Sequence, residues 1–132
     1  MKFSISKLLI SLIVTSIVII DACKILVKLK SDTTKKFKLQ LTVPSISYES
    51  EPLTFDKKGV VQSLKVKGPV CNLKKWTFQT FKHDEETDAW IKAEKLEAKI
   101  EGDGWMTVLV GKDYKPWIND RNQIFCSEGQ CM

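Results

Sequence analysis

The sequence predicts an all-β fold, a small disulfide-bonded antiparallel β-sandwich (immunoglobulin-like or similar), on three observations. Short segments alternate apolar and polar side chains with a period of two. Glycine, proline and aspartate punctuate those segments at regular intervals. Four cysteines, Cys23, Cys71, Cys126 and Cys131, all follow an apolar leader. An even number of cysteines in an oxidising compartment reads as two disulfides, and three pairings are open. Short strands, turn-rich connections and two bridges together are the pattern of a sandwich.

Residues 1–22 read as a signal peptide. Lys2 and Lys7 form a positive front, Leu8 to Ile20 supply thirteen mostly apolar residues, and Ala22 is a small side chain ahead of Cys23. Thirteen helical residues span about 20 Å, short of the roughly 30 Å of a bilayer core. An uncleaved anchor is therefore disfavoured. A lipidated Cys23 is disfavoured as well, because Asp21 stands where a small uncharged residue is required. Residues 23–132 then form one domain of 110 residues, enough to hide roughly two thirds of the unfolded chain's surface. The expected product is extracellular, with no stable membrane anchor after cleavage.

Along that domain, Lys24 to Lys30 places Ile25, Val27 and Leu29 on one face and Lys24, Leu26, Lys28 and Lys30 on the other. Lys36 to Val43 repeats the alternation with Phe37, Leu39, Leu41 and Val43 inward, and the two segments read as an antiparallel hairpin joined by a polar turn. Pro44 and Pro52 bracket a short edge segment, since proline cannot donate to a ladder. Asp56 to Gly59 is a turn, and Val60 to Lys67 is a further strand with Val60, Leu64 and Val66 inward. Gly68 to Lys82 is the expected centre of packing: Cys71 lies near a strand start, and Trp76, Phe78 and Phe81 offer roughly 150–250 Å² each. Residues 89–101 are ambiguous. Ala89, Ala93, Leu96 and Ile100 fall at helical spacing in a helix-forming composition, and a short helix around 89–100 is the alternative. The strand reading, with Trp90, Leu96, Ala98 and Ile100 on one face, is preferred because a turn at Glu101 to Gly104 would pair it with Trp105 to Val110. Gln123 to Cys126 is the last strand.

No assembled catalytic set is legible. His83 is the one histidine, it lies in a hydrophilic HDEETD turn, and no nucleophile motif accompanies it. Neighbouring buried carboxylates could act as acid and base without it, which makes a small secreted hydrolase the alternative function. No cofactor motif is present. A zinc site is disfavoured by the single histidine and the absence of a CxxC pair. Asp84, Glu85, Glu86 and Asp88 bring four carboxylates into a short stretch that calcium could use, but their spacing does not match an EF-hand, and a solvated turn is the simpler reading.

Charge is more informative. Residues 23–82 carry thirteen lysines against four carboxylates, whereas residues 83–132 carry six basic residues against eleven acidic ones. Lys24, Lys28, Lys30, Lys36 and Lys38 point outward on the expected hairpin, so one sheet face should be basic and suited to an anionic surface or polysaccharide. The competing reading is that lysines on strands suppress edge-to-edge aggregation. Nucleic acid is not an expected partner, because no binding motif is present and Arg121 is the one arginine. Tyr114 and Trp117, in a proline-containing loop, are a candidate ligand platform, with packing of Trp117 onto the sandwich end as the structural alternative. The expected function is a non-enzymatic extracellular binding or structural module.

The segments ACKILVKLKS, KKWTFQTFK, EGDGW and VGKDYKPWINDR, with the closing Cys126 and Cys131, resemble a group of small secreted nematode proteins of unknown function. The resemblance implies secretion and a β fold, and it assigns no functional residue.

Overall fold

Alternation of period two becomes eight strands in the computed structural model, which describes residues 22–131. They are β1 (Cys23–Ser31), β2 (Phe37–Val43), β3 (Tyr48–Glu49), β4 (Leu53–Phe55), β5 (Val61–Gly68), β6 (Trp76–Asp84), β7 (Ala89–Val110) and β8 (Pro116–Ser127), with a 3-10 turn at Pro44–Ile46. Most of the expected signal peptide lies outside the described residues.

The strands form a sandwich-like all-β fold of two layers. One layer has the order β5-β1-β7-β8. In the other, β6 lies between β2 and β7, and β3 and β4 line the far side of β2. The 22-residue β7 belongs to both layers, its first half pairing with β6 and its second half with β1 and β8. The two layers are thus one curled sheet, and their inner faces meet in a single core. Ile25, Val27 and Leu29 of β1 face Phe37, Leu39, Leu41 and Val43 of β2 across that core, as the alternation predicts. Phe37 and Phe55 stack at 4.8 Å and Trp76 packs on Phe78 at 6.4 Å.

Four expectations need correction. First, β1 and β2 do not form a hairpin. β1 is hydrogen-bonded along both edges, antiparallel to β5 and parallel to β7, so it has no edge left for β2. The chain from Ser31 instead crosses to the opposite layer, held by Asp32 N–H donating to Val110 O at 2.8 Å. The β1–β7 pairing also makes the sheet mixed rather than wholly antiparallel. Second, Glu101 to Gly104 is not a turn. Both glycines lie inside β7, where a Cβ on Gly102 would meet Gln123 O and one on Gly104 would meet Asn122 O. Glycine here admits the backbone of β8 at a bulge between Gly102 and Trp105. Third, residues 89–100 are strand, but Trp90 does not share a face with Leu96. An extra residue in β7 opposite Thr80 shifts the register, so Trp90 pairs with His83 on the outer face while Leu96, Ala98 and Ile100 stay inside. Fourth, Phe81 is only half-buried. Trp76, Phe78 and Thr80 occupy the inward positions of β6, and Phe81 has the opposite parity.

The disulfides are Cys23–Cys71 and Cys126–Cys131. The first bridge is fully buried and ties the start of β1 to the segment ahead of β6. Trp76 Nε1–H donates to Cys71 O at 2.8 Å. Cys71 itself precedes β6 by five residues rather than opening it.

Candidate functional site

The outward positions of the β5-β1-β7-β8 layer form the most distinctive surface. Register fixes its rows. Lys67, Lys24 and Asp103 lie side by side across β5, β1 and β7, followed by Lys65, Leu26 and Trp105, then Ser63, Lys28 and Thr107, and last Val61, Lys30 and Leu109 with Trp117 of β8. Lys24, Lys28 and Lys30 of the predicted face are joined by Lys65 and Lys67 from β5. Six residues of strand separate Lys24 from Lys30, so the basic stripe is about 20 Å long and two strands wide.

Lys24 and Lys67 are direct cross-strand neighbours. Like charges so placed are destabilising, yet among the described residues none of the five lysines takes part in an ion pair. Asp103 lies beside Lys24 in the register without closing to it. A depression of about 350 Å³ is lined by Lys24, Leu26, Lys65, Lys67 and Asp103. Lys28 extends its ammonium 4.7 Å from the Trp105 ring, which fixes the middle of the stripe by a cation–π contact.

The other two predicted lysines are elsewhere. Lys36 and Lys38 accompany β2 on the outer face of the opposite layer, their ammonium groups 5.5 and 4.5 Å from the Trp90 ring. The five lysines of the expected face are therefore split three and two, because β1 and β2 are not a hairpin. Lys65 and Lys67 were missed for the same reason. Their outward parity is legible in the alternation of residues 61–67, but that β5 lies against β1 is not.

Tyr114 and Trp117 are not brought together. Tyr114 adopts a left-handed backbone (φ 64°) in the β7–β8 turn, and its half-buried ring packs on the core with Lys35 Nζ 5.4 Å away. Trp117 projects from β8 on the outer face, 42% exposed, rather than from the sandwich end.

The acidic turn serves the β6–β7 connection. Asp84 accepts from Glu86 N–H at 3.0 Å, and that backbone hydrogen bond holds its carboxyl below the ordinary range. His83 Nε2 lies 2.6 Å from Asp88 Oδ1 and its ring packs on Trp90 at 4.9 Å. Among the described residues no three histidine, cysteine or carboxylate side chains converge as a metal site would require. The buried polar side chains among them are Ser31, Thr33, Ser50 and Thr80, so the carboxylate pair of the hydrolase alternative is not found there.

A scan against protein-family models and a search of characterised proteins both return no match to this chain.

Proposed function

We propose that this chain is a secreted, non-enzymatic module that binds an anionic partner through Lys24, Lys28, Lys30, Lys65 and Lys67. The observation that carries the reading is the direct opposition of Lys24 and Lys67 with no carboxylate among the described residues closing on either. A ligand anion would offset that repulsion. Edge protection does not account for Lys24, Lys28 and Lys30, because β1 is an interior strand paired on both sides. Lysine ammonium groups act as point charges and place little demand on ligand geometry, whereas bidentate recognition of a single sulfate or phosphate favours arginine. The partner is accordingly an extended anionic surface or polymer. Two disulfides support an oxidising, extracellular compartment, in keeping with the leader at residues 1–22.

The test uses protein recovered from the medium of expressing cells, applied to immobilised heparin as a generic polyanion. Wild type is expected to be retained at low salt and released as ions screen the lysines. Reversal of Lys24, Lys28 and Lys67 to Glu should abolish retention, while the same charge change at Lys57, Lys74 and Lys112, which are exposed elsewhere, should leave most of it. Equal losses in the two triple variants would reduce the effect to net charge and sink the reading.

A further inference from the structure

We propose that the outer face of the β5-β1-β7-β8 layer docks flat on an anionic lipid bilayer. This rests on the basic-stripe reading above and assigns its partner. The added observation is apolar. Across one row of the face, Val61 is 50% exposed, Leu109 is half-buried and Trp117 is 42% exposed, with Lys30 between Val61 and Leu109. Leu26 and Trp105 interleave with Lys24, Lys28 and Lys65 in the rows beside it.

A hydrated anionic polymer recovers nothing from the exposed aliphatic surface of Val61. A bilayer does: its interfacial zone accepts apolar side chains, takes tryptophan at headgroup depth, and leaves lysine stems free to extend their ammonium groups to the phosphates. Attraction to anionic lipids and burial of apolar area add. Glu101, Asp103 and Asp120 share the face on β7 and β8. The positive field is therefore concentrated over β1 and β5, and Val61 on β5 enters at the basic side. Trp117 anchors the opposite edge.

The experiment compares sedimentation of the secreted protein with vesicles of phosphatidylcholine alone and of phosphatidylcholine with phosphatidylserine. Association with the mixed vesicles only is expected, with a blue shift of tryptophan emission. A Val61→Ser, Trp117→Ser double variant should partition about ten-fold less or lower and keep both wild-type retention on heparin and a wild-type circular dichroism spectrum, the latter reporting that it is folded. Heparin retention without association with anionic vesicles would overturn the bilayer assignment and leave the polyanion reading standing. Loss of both in the wild type would remove the basic-stripe reading itself. Equal binding to both vesicle types, or no change in the double variant, would likewise overturn the proposal.

Discussion

At the scale of single residues, Thr80 shows how one side chain holds a register. It is fully buried in β6 at an inward position that its neighbours fill with Trp76 and Phe78. Its hydroxyl accepts from Glu94 N–H at 3.2 Å, and its one proton faces Tyr114 O at 2.7 Å and Glu94 O at 3.0 Å. The oxygen thus satisfies the backbone where β7 carries its extra residue, and it pins the β7–β8 turn to β6. Replacement by the near-isosteric valine would leave Glu94 N–H and Tyr114 O without the hydroxyl, a penalty of about 1–3 kcal/mol, whereas Glu94 O keeps its bond from Gln79 Nε2 at 3.0 Å. Thr80→Val is expected to lower the denaturant midpoint by a corresponding amount with an unchanged slope. A midpoint equal to wild type would show that the bulge does not depend on the hydroxyl. The same register shift carries Trp90 outward to Lys36, Lys38 and His83, so one residue decides on which side of the sheet an aromatic lies.

At the scale of elements, one exposed strand edge is covered by the C-terminal loop. The first half of β7 is the edge strand of its layer, with β6 on one side. Its other side meets the C-terminal loop: Gln130 N–H donates to Glu97 O at 2.9 Å, and Glu97 N–H donates to Gln130 Oε1 at 3.1 Å. Lys115 Nζ caps Lys95 O at 2.7 Å. The Cys126–Cys131 bridge holds that loop in place, although it closes only a short ring and by chain entropy contributes about 2 kcal/mol. Its larger effect is to cover a strand edge that would otherwise recruit another chain. A Cys126→Ser, Cys131→Ser variant is expected to remain folded but to aggregate faster on incubation, as followed by light scattering. A variant as monodisperse as wild type would show that the edge protection by Gln130 and Lys115 does not depend on the bridge.

At the scale of the whole molecule, one covalent long-range tie joins the layers, and local carboxylate contacts tune stability with pH. The Cys23–Cys71 bridge spans 48 residues and by loop entropy is worth about 4 kcal/mol. Exposed ion pairs add a pH-dependent part. A hydrogen bond from Lys95 holds Glu97 below its ordinary value, one from Lys99 does the same for Glu128, and Asp84 is lowered by the Glu86 backbone. Carboxylates lowered in the folded state stabilise it above their unfolded pKa values, near 4, and lose that contribution as pH falls through the lower folded values. Tm is therefore expected to be flat from neutral pH to about 5 and to drop below about 4. Glu128→Gln should reduce the drop. An unchanged acid slope in that variant would remove Glu128 from the linkage.

The sequence by itself determined the inner and outer faces of β1, β2 and β5, the all-β class and the presence of paired cysteines, because period-two alternation and composition are local properties of a strand. It also placed lysines outward at the right parity. Which strand lies beside which was decided only in the tertiary structure. Lys24 and Lys67 are 43 positions apart in the chain, and the pairing that sets them side by side follows from β1 being taken on both edges. Closing the core left β2 no place in that layer, so Lys36 and Lys38 went to the opposite face. The bulges at Thr80 and Gly102 belong to the same class of decision. Each adds a residue to one strand only, and that mismatch has a meaning only once the partner strand is in place.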